Sequence, residues 1–115
     1  MQVITKETIS CFRYSNFIVQ EVSDKITKAI NDFALRVLKI PSVAKIAYKS
    51  EGNVITIWTF TKKTDRNNLF KIYAIEQKMM EKFPDLIFDF TVIFGGKELP
   101  EGFNEISSED IDANP

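Results

Sequence analysis

The sequence predicts a two-layer α+β sandwich, in which an antiparallel sheet of about three to four strands carries two helices on one face. Three observations predict it. Leu86, Phe88, Phe90, Val92 and Phe94 recur at every second position, the period of a strand with one face on a core. Ile26, Ile30, Phe33 and Val37 recur at spacings of four, three and four, the period of a helix laid on a sheet. Between these stretches, Val43–Lys49 and Val54–Thr61 are two short apolar runs separated by Ser50-Glu51-Gly52-Asn53, a turn composition that predicts a hairpin.

In chain order, residues 1–14 are the least determined. Val3, Ile4, Ile9, Cys11, Phe12 and Tyr14 are apolar enough for an extra strand or an irregular arm. The first helix starts at either Ser15 or Ser23, both good caps, and ends before Pro41. The first strand places Ala44, Ile46 and Tyr48 on one face. The second has two apolar faces, Val54, Trp58 and Phe60 on one and Ile55 and Ile57 on the other. A two-layer fold leaves one sheet face to solvent, so a second cover is expected. The N-terminal arm, the segment from Leu99 to Phe103 and a second subunit are the candidates. Ile55, Ile57 and Trp58 are therefore the expected dimer or partner surface.

Thr64 is the expected cap of the second helix, with Asp65 in its first turn. Its apolar stripe reads Leu69, Ile72, Tyr73, Met79, Met80 and Phe83, and Pro84 separates it from the last strand. Residues 1–103 form one domain in this reading, and residues 104–115 an acidic mobile tail.

With helix, strand, strand, helix and strand in that order, the chain is similar to ferredoxin-like and α-β-β-α-β proteins. That order resembles the cytoplasmic domain of cation-efflux transporters, a dimer, although the histidines such domains often carry have no counterpart here. The segment IYAIEQKMMEKFPDLIFDFTVI also resembles small uncharacterised prokaryotic proteins that share the order aromatic, Glu, apolar pair, FPDL, FDF. Neither resemblance implies a function, since a fold alone does not specify one.

Composition narrows the chemistry. The 115 residues include ten Phe, one Cys and no His. Without histidine, Ser-His-Asp and Cys-His catalysis are excluded within this chain, and the commonest metal ligand is missing. One cysteine gives no internal disulfide, and no apolar run approaches a spanning helix. A cytoplasmic protein with no cofactor, no metal and no membrane association is expected. Residues 1–83 carry 14 Lys and Arg against 8 acidic groups, while residues 84–115 carry 1 Lys against 8. This asymmetry suggests a basic surface beside an acidic arm.

Three sets of residues are candidates for function. Glu76 lies within the apolar stripe of the second helix. A carboxylate there is desolvated, so it is a general acid or base, a buried ligand contact, a group paired with a Lys, Arg or Tyr of the sheet, or the lining of a polar gap where the helix overhangs the sheet edge. Lys62, Lys63 and Arg66 cluster at the start of that helix, where an anion could sit, although Asp65 opposes it and no glycine-rich turn is present. Trp58 and Tyr48 are candidate stacking groups for nucleic acid on a basic body. The favoured expectation is an interaction or regulatory module acting as a homodimer. A nucleic-acid-binding domain, and a ligand-binding protein or enzyme centred on Glu76, are the alternatives.

Overall fold

The computed structural model describes residues 24–96 and 98–108. The expectations for residues 1–14, for Ser15 or Ser23 as a cap, for Cys11 and for the tail beyond 108 lie outside them. The described residues form two helices and one four-stranded sheet. Helix α1 covers residues 24–37 and buries Ile26, Ala29, Ile30, Phe33, Ala34 and Val37, the predicted stripe. Strand β1 (Val43–Glu51) and strand β2 (Val54–Thr61) pair antiparallel. They are joined at Gly52-Asn53, where Gly52 takes a φ of 62° that favours glycine. A register shift between Val43 and Lys45 lets Val43 rejoin Ile46 on the core side, so Ala44 is not the core residue its alternation predicts.

Helix α2 (Arg66–Lys82) is capped by Asp65 rather than Thr64, with the Asp65 carboxylate accepting from the Asn68 N–H at 3.0 Å. Its buried face is Asn68, Ile72, Glu76 and Met79. Tyr73 and Met80, expected in the core, are exposed. The stripe is thus rotated toward two polar residues that a hydrophobic pattern passes over. After the Pro84-Asp85 turn, strand β3 (Ile87–Phe94) follows. The expected antiparallel sheet is here a mixed one, because β3 lies parallel to β2. The intervening helix returns the chain to the start of β2, and such a crossover delivers a parallel neighbour.

Strand β4 (Asn104–Ser107) pairs antiparallel with β1 and gives the sheet order β3-β2-β1-β4. Residues 104–107 therefore belong to the domain and not to a mobile tail. Both helices share one core with the inward side chains of the sheet, among them Ile46, Ile55 and Ile57. Lys25 pairs with Asp85 at 2.9 Å, and Asp32 with both Lys82 and Arg36 at 2.6 Å. Asp32 is partly desolvated, which raises its pKa, but the hydrogen bonds from Lys82 and Arg36 outweigh that and leave it below the usual carboxylate range.

Candidate functional site

The hairpin does not offer the expected partner surface. Ile55 and Ile57 are each 0% exposed and sit in the core beneath the helices. Period-two alternation separates the two faces of β2 but does not say which one meets the helices, and both are apolar. On the outer face the chain covers itself. The Phe103 ring lies 4.8 Å from that of Trp58, so the segment from Leu99 to Phe103 contributes the second cover. The Lys45 and Lys49 ammonium groups lie over the Phe60 and Phe103 rings at 5.0 and 5.2 Å. Lys45 also pairs with Glu105 at 3.2 Å. Tyr48 faces the core instead, opposite Ile57 in the ladder, so Tyr48 and Trp58 do not form one stacking platform.

The start of α2 is likewise occupied. Ser42 Oγ donates to the buried Asn68 Oδ1. Asn68 Nδ2 donates to Thr61 Oγ1 at 2.9 Å and to the Lys63 carbonyl at 2.7 Å. One amide thus ties the helix start to the beginning of β1 and the end of β2. With Asp65 on the helix amides, Lys62, Lys63 and Arg66 are left as exposed side chains around an end that already carries negative charge. Asn68 was not distinguished in the sequence; an Asn three residues after a capping Asp is the signal that could have marked it. Asn68→Ala is expected to cost about 2 kcal/mol, because it leaves buried partners unsatisfied. Urea denaturation at one pH measures this.

Glu76 is 9% exposed, and its Oε2 has no hydrogen-bond partner among the described residues. The ion pair that would make it structural is therefore not formed by that oxygen. Burial pushes its pKa up to about 7. Thr59 Oγ1, on the core side of β2, is a second buried oxygen without a partner. Asp89 points to the opposite face beside Thr56, so the two carboxylates do not form a pair.

Strand β3 lies at one edge of the sheet. Among the described residues nothing pairs with its outer side. Its core-facing Phe88, Phe90 and Val92 remain half-buried, whereas the core-facing residues of β2 are fully covered. The Phe33 ring of α1 packs tilted against Phe90 with centroids 5.3 Å apart, but Phe94 is 63% exposed and Ile87, on the other face, 55%. The helix layer stops short of this edge. The opposite edge differs: β4 has only four residues and is flanked by the Lys45–Glu105 pair.

No family model, curated protein or solved structure matches the chain. Among the described residues no helix is long and apolar enough to cross a membrane.

Proposed function

We propose that the chain is a small protein-interaction module that acts as a homodimer, joined at the β3 edge rather than at the hairpin surface. The thinning of the core cover toward β3 carries this reading. An eight-residue strand with exposed apolar side chains, and with a backbone edge unpaired among the described residues, is a template for another strand. Natural proteins blunt such edges with charged side chains, lysine above all, with proline or with a bulge, and Asp89 is the one charge on β3. β3 contains neither lysine nor proline, and its ladder to β2 runs without a shift.

Light scattering across a concentration series tests the reading. The expected mass is that of two 13.2 kDa chains. Phe94→Asp is expected to shift the equilibrium toward the single chain without unfolding it, since Phe94 is already exposed. A single-chain mass at the highest concentration reached would overturn the proposal.

A further inference from the structure

We infer that two copies pair antiparallel through β3 in a register centred on Thr91, so that the two sheets join into one. The inference rests on the homodimer reading and specifies its geometry. Backbone direction comes first. The Ile87 N–H donates to the Asn53 carbonyl at 2.9 Å, and the Gly95 N–H donates to the Thr61 carbonyl at 3.2 Å. Both bonds point toward β2. Because N–H and C=O groups alternate sides along a strand, Asp89, Thr91 and Ile93 also point inward. The groups of Phe88, Phe90, Val92 and Phe94 therefore face the edge that no described residue pairs with.

In an antiparallel pair, outward-facing residues must sit opposite outward-facing residues. Centring the two-fold axis on Thr91 places Phe88 opposite Phe94, and Phe90 opposite Val92, in both directions. Every outward-facing residue of β3 then has a partner within the strand. Centring on Phe90 instead places Phe94 opposite Leu86, which precedes the strand. Centring on Asp89 sets two carboxylates against each other. The Thr91 register also covers the exposed Phe94 with the half-buried Phe88 of the second copy. It sets the two Asp89 positions four residues apart along the strand, about 14 Å at about 3.4 Å per residue, beyond the screening length of about 8 Å at physiological salt. At the centre, Thr91 meets Thr91, a favourable cross-strand pair. A second copy fits this edge because the four outward-facing residues of the strand are complementary to themselves about Thr91.

Disulfide trapping tests the register in the full chain, with Cys11→Ser as background. Two residues at the two-fold axis form a pair without hydrogen bonds, with Cα atoms about 4.5 Å apart, within reach of a disulfide. Thr91→Cys is expected to cross-link on mild oxidation at a concentration where the unmodified chain is a dimer. Asp89→Cys is expected not to cross-link. Thr91→Lys is expected to raise the dissociation constant by about tenfold or more, by setting like charges face to face. Thr91 is exposed, so these variants keep the fold. Cross-linking by Asp89→Cys but not Thr91→Cys would overturn the register. A dimer mass with no cross-link at either position would overturn the register centred on Thr91 but leave self-association standing. A single-chain mass throughout would overturn both.

Discussion

Ile57→Asp is expected to unfold the chain rather than to separate two protomers. Ile57 lies in the middle of β2, fully buried, with Tyr48 opposite it on β1 and Phe90 beside it on β3. The substitution removes an apolar side chain from the core and places a carboxylate there. A buried charge without a partner is among the few changes that exceed about 4–5 kcal/mol. Set against the roughly 5–15 kcal/mol of a typical domain, that loss is enough to abolish the folded population. Far-ultraviolet circular dichroism of the purified variant shows the outcome. A folded, monomeric Ile57→Asp protein would mean that Ile57 belongs to an interface after all.

Stability is expected to fall as the pH rises from about 4.5 to above 7, and Glu76 is the cause. Its carboxyl titrates at about 7 in the folded chain, against an ordinary value of 4.5, because it is desolvated. Below 4.5 the group is protonated in both states and burial costs little. Between 4.5 and 7 the unfolded chain releases its proton while the folded chain holds it, so folding is progressively disfavoured. Above 7 the cost levels off at about 3 kcal/mol. Glu76→Gln keeps the shape and removes the titration. The variant is expected to be nearly independent of pH over this window and more stable than the parent chain at pH 8. Asp32 acts in the opposite sense. Its lowered pKa contributes stability above its ordinary value of 3.8, which is lost as the pH falls through the folded value. Urea denaturation at pH 5, 6, 7 and 8 keeps the two apart. A parent curve as flat as that of Glu76→Gln would contradict the assignment.

Much of the fold was legible because its cause is periodic. Ile26, Ile30, Phe33 and Val37 read as one helical face and pack as one. Ser50-Glu51-Gly52-Asn53 read as a turn; Gly52-Asn53 forms it, while Ser50 and Glu51 extend β1. Legibility failed where two patterns compete. Both faces of β2 are apolar, so nothing in its alternation shows that Ile55 and Ile57 meet the helices while Trp58 meets Phe103. In α2 the core face includes Asn68 and Glu76, so counting only apolar residues rotated it toward Tyr73 and Met80. The parallel placement of β3 depends on where the crossover sets the chain down, which a local pattern does not encode. β4 read as tail because Asn104-Glu105-Ile106-Ser107 is short and polar. It becomes a strand only through its pairing with β1. Of the candidate sites, Glu76 was visible as a carboxylate in an apolar stripe. The open edge was not, because an edge is a property of strand order.

Amide hydrogen exchange at two protein concentrations tests most directly whether a second copy completes the β3 edge. The amides of Asp89, Thr91 and Ile93, bonded within the chain, are expected to exchange slowly at both. Those of Phe88, Phe90, Val92 and Phe94 are expected to slow markedly at the higher concentration. Fast exchange of these four at every concentration would show the edge open to water and contradict the account.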